Sequence, residues 1–250
     1  MLFETILYIC RQDDSFDSMK IIFQLLAILI LFWVLSCKKE NSTHPDTSVL
    51  DKNKVKEAKK NVLEARPKDS INNENAVSFL TLYGKENAEN TVLIKTRLGN
   101  ITIRLYEDTP LHRASFIFLA KMGYFDTTCF YRVVPDFIIQ GGESERLDTQ
   151  AYKARYERYK IPPEFNEKRR HKYGAVASAR DWVNNPRKYS TAFEFYIVQS
   201  RKGAHHLDGE HTVFGEVISG FNTIDKIVNL EAGSDEWPLN DVFMKIEVLN

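Results

Sequence analysis

The segment from Phe130 to Gly142, FYRVVPDFIIQGG, restricts the fold more than any other part of the chain. It contains two short runs of strand-forming residues on either side of a Pro135–Asp136 turn, a pattern typical of two adjacent antiparallel strands. It also sets a single arginine among apolar side chains, with a glutamine close behind. We expect Arg132, Phe137 and Gln140 to surround one shallow pocket.

The sequence upstream of this segment predicts a hairpin followed by a helix. From Thr91, TVLIKTRLGNITIRLYED gives two alternating runs joined at Gly99–Asn100, a pair suited to the positive φ angles of a tight turn. Thr109 offers an N-cap oxygen, and Leu111–Met122 carries a helical apolar pattern. The folded body is therefore expected to start near Thr91.

Short strand-like runs return in the C-terminal half, together with one further helix, Phe221–Asn229. The runs are Gly174–Ala179, Phe193–Val198, His211–Val217 and Val242–Leu249. Many strands and two principal helices predict a mainly β protein built on a closed antiparallel barrel.

Asp148–Arg170 is highly charged and contains Pro162–Pro163, so we expect a long surface excursion with a short helix there. Aromatic and cationic side chains are interleaved within it: Tyr152, Lys153, Arg155, Tyr156, Arg158, Tyr159 and Lys160. Such a segment could bind a partner, but a solvated helix face is the favoured interpretation.

Charge and cysteine content exclude several classes of protein. Lysine plus arginine equals aspartate plus glutamate, at 34 each, so no net field would hold a polyanion and nucleic acid is not expected as a partner. Cys10 and Cys37 lie near an N-terminal apolar segment, and Cys129 lies in a strand-like run. These positions imply no disulfide framework. We expect a buried Cys129 and a monomeric chain.

The N-terminal region predicts export and lipid attachment. Met19–Lys20 opens the run IIFQLLAILILFWVLSC, so residues 19–36 have the charged start, apolar core and small residues of a secretory signal. Val34–Cys37 resembles the bacterial lipobox, in which the cysteine is lipidated and becomes the first residue of the mature protein. A plain membrane anchor is the alternative, but Ile21–Leu35 is shorter than the roughly 20 apolar residues that span a bilayer.

The residues on either side of this signal are expected to lie outside the folded domain. Residues 1–18 place aspartates where a signal needs positive charge, so translation is expected to start at Met19. Residues 37–90 are polar and predict a tether, within which Ala76–Tyr83 is apolar enough to dock on the domain. We expect a protein of the bacterial cell envelope, lipid-anchored through Cys37, that faces the periplasm or lies at the outer membrane.

Four motifs, in order along the chain, resemble the cyclophilins, which are peptidyl-prolyl cis/trans isomerases. They are FYRVVPDFIIQGG, GAVASAR at Gly174–Arg180, FEFYIVQS at Phe193–Ser200 and HLDGEHTVFGEV at His206–Val217. The resemblance covers residues 91–250 and implies a cyclophilin-like barrel of eight antiparallel strands. GAVASAR and the Asn185–Arg187 loop are most similar to bacterial secreted cyclophilins.

The resemblance implies rotation about X-Pro peptide bonds, without a cofactor or metal, in proline-containing polypeptides. Arg132 would be the catalytic residue, because a guanidinium can donate to the proline nitrogen, and Gln140 would hold it in place. The other residues implied are the pocket lining, Phe137, Ile138, Tyr196 and Leu207, the wall residue His211, and the strip Ala179 and Arg180 beside the residue that precedes proline.

Glu194 departs from the family pattern, since cyclophilins commonly carry a glutamine there that binds the substrate backbone. A carboxylate lacks both amide donors. It could form a compensating pair with Arg180, or it could engage Arg132 and draw the guanidinium off the proline nitrogen. A retained but altered isomerase is the favoured interpretation. A noncatalytic module that binds proline-containing segments is the alternative.

A second constellation combines typical metal ligands within a short loop: His205, His206, Glu210 and His211. Zinc enzymes of the HExxH kind place their ligands on one helical face, whereas Leu207–Gly209 has the pattern of a turn. We therefore expect no metal site.

Overall fold

The computed structural model of this protein describes residues 71–249. The expected start at Met19, the signal segment 19–36, the lipidated Cys37 and the tether up to residue 70 lie outside the described residues. Among residues 71–249, no helix is both long enough and apolar enough to cross a membrane.

Eight strands close into an antiparallel barrel, which confirms the predicted architecture. They are β1 (Thr91–Thr96), β2 (Gly99–Leu105), β3 (Cys129–Val134), β4 (Ile138–Glu143), β6 (Ala175–Ser178), β8 (Phe195–Val198), β9 (Val213–Ser219) and β10 (Val242–Leu249). Around the barrel their order is β1, β10, β3, β4, β8, β6, β9, β2. A separate two-stranded sheet pairs β5 (Lys160–Ile161) with β7 (Ser190–Thr191).

Side chains along the barrel strands alternate between two environments, as the period of a strand requires. On β8, Phe195 and Ile197 belong to the main core inside the barrel, whereas Tyr196 and Val198 belong to a second, smaller apolar cluster. β4 and β6 alternate in the same way. The second cluster therefore lies on the outer face of β4, β6 and β8.

Residues 71–249 also contain four helices: α1 (Ala76–Glu86), α2 (Pro110–Lys121), α3 (Leu147–Arg155) and α4 (Phe221–Val228), with 3₁₀ turns at Phe125–Thr127 and His205–Leu207. The two principal helices that the sequence predicts are α2 and α4. The short helix expected in the charged excursion is α3.

The folded region includes residues 71–90, which the sequence assigns to the tether. Ile71 is fully buried in the main core, and Phe79 of α1 packs edge-on against Phe118 of α2 with ring centroids 5.2 Å apart. The docking expected for Ala76–Tyr83 is present, but the packed segment extends beyond it in both directions. Among the described residues, packing against the domain therefore begins before residue 91.

The start of α2 is not capped by Thr109, contrary to the prediction. The Thr109 hydroxyl donates to the Tyr106 carbonyl, and the carboxylate of Glu164 accepts from the backbone N–H groups of Leu111 and His112, at 3.0 and 2.9 Å. A carboxylate at a helix N-terminus accepts from the unpaired backbone N–H groups of the first turn and interacts favourably with the positive end of the helix dipole. Because it comes from a distant loop, the local sequence does not reveal it.

The β1–β2 hairpin forms, but its turn lies two residues earlier than predicted, at residues 97–98. Gly99 opens β2 opposite Thr96 and has a φ of +134°. A Cβ at this position would lie 2.5 Å from Oγ1 of Thr223 on α4. Gly99 is therefore required by its backbone angle and by the close approach of α4.

The tyrosines of the charged excursion do not form a solvated helix face, so that interpretation was wrong. Tyr156 and Tyr159 are buried in the main core, and the Tyr159 hydroxyl bonds the hydroxyl of Ser115 on α2 at 2.7 Å. The Lys153 side chain is only 5% exposed. One side of α3 therefore packs against the domain and carries a cation inward.

Arg113 on α2 joins this helix to the end of α1. Its guanidinium donates to the carbonyl oxygens of Gly84, Asn87 and Glu89, at 3.0 to 3.2 Å. We expect Arg113→Met to leave these acceptors unsatisfied, at about 1–3 kcal/mol, and to speed amide hydrogen exchange in α1. Lys85→Met removes an exposed cation from α1 and should leave the exchange unchanged. Unchanged exchange in Arg113→Met would contradict this role.

Candidate active site

One row of residues crosses four strands at the segment that the sequence singles out. Arg132 on β3 pairs with Gln140 on β4, Gln140 with Tyr196 on β8, and Tyr196 with Ala177 on β6. Residues in register on neighbouring strands project from the same face of a sheet. The row is therefore about 14 Å long and lies on the outer face of the barrel.

Two groups hold the guanidinium of Arg132. Its Nε donates to Oε2 of Glu236 at 2.5 Å, and its Nη1 approaches Oε1 of Gln140 at 3.5 Å. Glu236 is fixed in turn, because its carbonyl oxygen accepts from the N–H of Val133 at 2.9 Å. The Arg132 side chain is 32% exposed. Of its five N–H groups, those on Nη2 and one on Nη1 are left to contact a ligand.

The four residues assigned to the pocket lining lie together in the outer apolar cluster: Phe137, Ile138, Tyr196 and Leu207. Ile138, Tyr196 and Leu207 are buried. Phe137 is half-buried and stacks on His206 with ring centroids 5.5 Å apart. These side chains form an apolar floor beside Arg132.

The ring of Tyr196 is anchored by a residue that the sequence analysis missed. Nε2 of His171 bonds the Tyr196 hydroxyl at 2.9 Å, and Nδ1 of His171 bonds Oδ1 of Asp208 at 2.8 Å. Asp208 accepts, so Nδ1 carries the proton and Nε2 accepts from the hydroxyl. Burial lowers the pKa of His171 and raises that of Tyr196, which keeps both neutral.

His211 stands against the apolar floor, with its ring centroid 5.5 Å from that of Tyr196. Its Nδ1 lies 3.0 Å from the carbonyl oxygen of Ser178, so Nδ1 carries the proton and Nε2 keeps a lone pair. Burial lowers the pKa of His211 to about 4. The imidazole of His211 is therefore uncharged at physiological pH and forms one side of the pocket above the apolar floor.

Arg180 does not pair with Glu194, contrary to one of the two expectations. Its Nε and Nη2 donate to the carbonyl oxygen and to Oε2 of Glu210, both at 2.7 Å, and its guanidinium lies 4.0 Å from the ring centroid of Trp182. Its neighbour Ala179 is buried and donates its N–H to the carbonyl oxygen of Glu194 at 3.0 Å. The charge of Arg180 is therefore balanced by Glu210.

Glu194 does not engage Arg132 either. Its Oε2 accepts from the hydroxyl of Tyr131 at 2.9 Å, and its Oε1 accepts from Nζ of Lys153 at 3.2 Å. Both ion pairs considered for Glu194 are wrong because Lys153, from the charged excursion, balances the carboxylate. Arg132 remains with Glu236.

Two cavities adjoin the site. One, of about 340 Å³, is lined by Gln140, Lys153, Arg158, Ala179, Arg180 and Glu194, among others. The other, of about 650 Å³, is lined by Phe165, Arg169, Arg170, Asp208, Gly209 and His211, among others. Volumes of this size accommodate ligands larger than a single side chain. The site therefore has room for a chain segment that extends beyond the apolar floor.

Within residues 71–249, no group of three or more His, Cys, Asp or Glu side chains is placed to hold a metal ion. In the loop that contains typical ligands, His205 contacts Asp208, whereas Glu210 pairs with Arg180. Cys129 is buried and free, as predicted, and burial raises the pKa of its thiol to about 12. It has no thiolate character at neutral pH.

Sequence reasoning missed Tyr131 and Glu236 for two different reasons. Consecutive strand residues normally face opposite sides, but the β3–β4 register is irregular between Phe130 and Arg132. Such an irregularity re-aims a side chain, so the Tyr131 hydroxyl reaches Gln140 on the Arg132 side. Glu236 lies 104 residues from Arg132 along the chain and has no local signal.

The burial of His211 predicts a pH-dependent stability. Its folded-state pKa of about 4 lies below the ordinary 6.5, so the unfolded chain binds the extra proton between these values. Its contribution is complete above pH 6.5 and is lost as the pH falls through 4, at up to ~1.4 kcal/mol per pH unit. Urea unfolding at several pH values should give a shallower dependence for His211→Asn than for the wild type. Equal slopes would contradict a neutral His211.

Comparisons with known proteins found related sequences and structures. Residues 91–248 match the family model described as cyclophilin type peptidyl-prolyl cis-trans isomerase/CLD. A peptidyl-prolyl cis-trans isomerase of Dictyostelium discoideum is 31% identical over 159 residues, which cover 62% of this chain and 94% of that protein. A peptidyl-prolyl cis-trans isomerase-like 2 protein of Rhizopus delemar is 30% identical over 165 residues, or 66% of this chain.

The chain spans only part of some relatives: 30% of the Rhizopus protein and 38% of a Streptococcus pyogenes protein that is 30% identical to it. Among solved structures, a Cryptosporidium parvum cyclophilin type isomerase, crystallised in the presence of the dipeptide Ala-Pro, superposes with a TM-score of 0.55 at 24% identity. The match covers 64% of this chain and 99% of that structure. It shows a shared fold.

Proposed function

This chain belongs to the cyclophilin-type peptidyl-prolyl cis-trans isomerase family, and we propose from that premise that it accelerates cis/trans rotation about X-Pro bonds. The observation that carries the proposal is Arg132, held by Glu236 and Gln140 beside an apolar floor. Its substrates are proline-containing polypeptides, because the floor accepts a pyrrolidine ring and the adjoining cavities accept the chain around it.

The reaction needs no covalent intermediate. The X-Pro barrier of about 18–20 kcal/mol arises from resonance between the nitrogen and the carbonyl group. A donor aimed at the proline nitrogen stabilises the twisted, pyramidal state over the planar one. Stabilisation by ~7 kcal/mol would accelerate rotation roughly 10⁵-fold, which preorganised donors in a partly dry site can approach.

Arg132 suits this role because the hydrogen bonds at Nε and Nη1 fix the plane of the guanidinium and so set the direction of its free N–H groups. Glu236 occupies Nε and Gln140 approaches Nη1, so rotation of the guanidinium is restricted while Nη2 stays available. A planar guanidinium can serve the proline nitrogen and the neighbouring carbonyl together. The Tyr196 ring, fixed by His171, keeps the proline ring at a constant height beneath these donors.

The position of Glu194 supports catalysis. Its carboxylate is balanced by Lys153 and bonded by Tyr131, so it does not compete with the substrate for Arg132. The glutamate at position 194 therefore changes which residues surround the site but leaves the guanidinium of Arg132 free to donate.

Removal of the guanidinium tests the proposal. In a protease-coupled assay of an X-Pro peptide, with the full chain in detergent, Arg132→Ala should lower kcat/KM by about 10²–10³-fold, since one preorganised donor is typically worth that much. Arg132→Lys should recover only part, because a lysine keeps the charge without the planar fork. Arg104→Ala, which removes an exposed arginine on β2, is the matched control and should retain full activity.

The same assay separates the enzyme from a binding module. Equal rates for the wild type and Arg132→Ala would defeat the catalytic proposal. If both were inactive but still bound the peptide, the noncatalytic function would stand.

We propose further that the domain belongs to the bacterial secreted and lipoprotein subgroup and is tethered to the cell envelope by a lipid on Cys37. The support is the charged start and apolar run that precede this cysteine, with a polar stretch of some thirty residues between Cys37 and Ile71. The domain would then act as a folding catalyst for envelope or secreted proteins on the periplasmic side or at the outer membrane.

Lipid attachment is testable in bacteria grown with an alkyne-bearing fatty acid. The wild-type chain should be labelled, whereas Cys37→Ser should be unlabelled and should keep its signal segment. Cys129→Ser, which alters the buried thiol, is the control and should be labelled like the wild type. Label in Cys37→Ser would contradict the site. A peptide from residues 1–18 in the uncleaved variant would contradict a start at Met19.

A further inference from the structure

We infer that Lys153 is a positioning residue for Arg132, acting through Glu194, Tyr131 and Gln140. The inference rests on the proposed isomerase function, and it assigns a role to α3, the helix of the charged excursion. The five residues form a continuous chain of polar contacts from the buried side of α3 to the exposed guanidinium.

The chain of polar contacts begins with a buried cation between two carboxylates. The Lys153 side chain is 5% exposed; its Nζ contacts Oε2 of Glu143 and lies 3.2 Å from Oε1 of Glu194. A buried ammonium is retained only where it is well paired. Glu143 also accepts from the Ser144 backbone N–H and from the Gln150 amide, at 3.0 and 2.9 Å, so it is fixed independently of Glu194. Lys153 can therefore hold Glu194 as its second partner.

Glu194 then fixes the direction of the next hydrogen bond. An ionised carboxylate only accepts, so the Tyr131 hydroxyl must donate to Oε2, at 2.9 Å. Burial, and after it the charge of Glu194, raises the pKa of Tyr131, which keeps the hydroxyl protonated. With its single proton committed to Glu194, the Tyr131 oxygen has only lone pairs to offer Gln140.

That commitment selects one orientation of the Gln140 amide. Nε2 of Gln140 donates to the Tyr131 oxygen, which leaves Oε1 directed to Nη1 of Arg132, at 3.5 Å. The flipped amide would set its NH₂ against the guanidinium and its oxygen against the lone pairs of Tyr131. The charge of Glu194, stabilised by Lys153, therefore presents an acceptor to Arg132.

Without Lys153, the chain of polar contacts loses the cation that fixes Glu194. Glu194 would be left as a partly buried carboxylate with no cation, and Arg132 would be an available cation a few side chains away. A Glu194 that turned toward Arg132 would release Tyr131 and let Gln140 flip. The expected defect is a misaligned donor, which affects the chemical step more than substrate binding.

The test is a set of variants of the full chain in detergent, with kcat and KM measured separately on an X-Pro peptide. Lys153→Met should lower kcat by about tenfold with KM within about twofold, as expected for loss of a transition-state interaction. Lys153→Arg should restore most of kcat, because it keeps the cation. Arg155→Met, which removes an exposed cation from the same helix, is the matched control and should match the wild type.

The double variant Lys153→Met/Glu194→Gln separates positioning from simple loss of packing. It removes both charges, and the new amide oxygen can still accept from Tyr131, so kcat should return toward the wild-type value. The NMR signal of the Gln140 side-chain amide should shift in Lys153→Met and return in the double variant.

A wild-type kcat in Lys153→Met would overturn the inference, as would a double variant as slow as the single one. If the wild type itself had no activity, the proposed function would fail. The Gln140 amide signal would still decide the inference, since a signal unmoved by Lys153→Met would overturn it.

Discussion

The strand register at Arg132 is the constraint on which the site depends. Arg132, Gln140, Tyr196 and Ala177 are paired across four consecutive strands of a closed barrel, so their positions on its outer face follow from backbone hydrogen bonds. A slip of one residue on any of these strands would turn its member of the row into the barrel. The main core, which occupies the other face of the same strands, prevents that slip. Stability and site geometry therefore have a common origin.

Charge around the row is arranged so that one guanidinium keeps free donors. The two charged residues that the sequence placed across the pocket have partners of their own: Arg180 has Glu210, and Glu194 has Lys153. Glu236 restrains Arg132 at Nε. A partner at this nitrogen leaves N–H groups on both terminal nitrogens available. His171 and His211 are buried, and burial lowers the pKa of each, so these two imidazoles add no charge to the site at physiological pH.

Features that depend on local sequence pattern were predictable from the sequence, whereas features that depend on contacts between distant residues were not. Alternation and turn residues predicted the barrel strands, and the Phe130–Gly142 segment pointed to Arg132 and Gln140, which the structure pairs across β3 and β4. The cap of α2 was missed because Glu164 comes from another loop, and the balance of Glu194 was missed because Lys153 belongs to a charged helix whose burial no local pattern shows. Glu236 was missed for the same reason: a long-range ion pair leaves no periodic signal.

We propose that Arg132, held at Nε, presents its terminal nitrogens to the proline peptide bond. The most direct measurement is ¹⁵N NMR of the arginine side chains during titration with an Ala-Pro peptide and, in parallel, with an Ala-Ala peptide. The Nη signals of Arg132 should shift and sharpen with the proline peptide alone, while Nε stays near its starting position. Unmoved Nη signals, or equal shifts with both peptides, would contradict this role of Arg132.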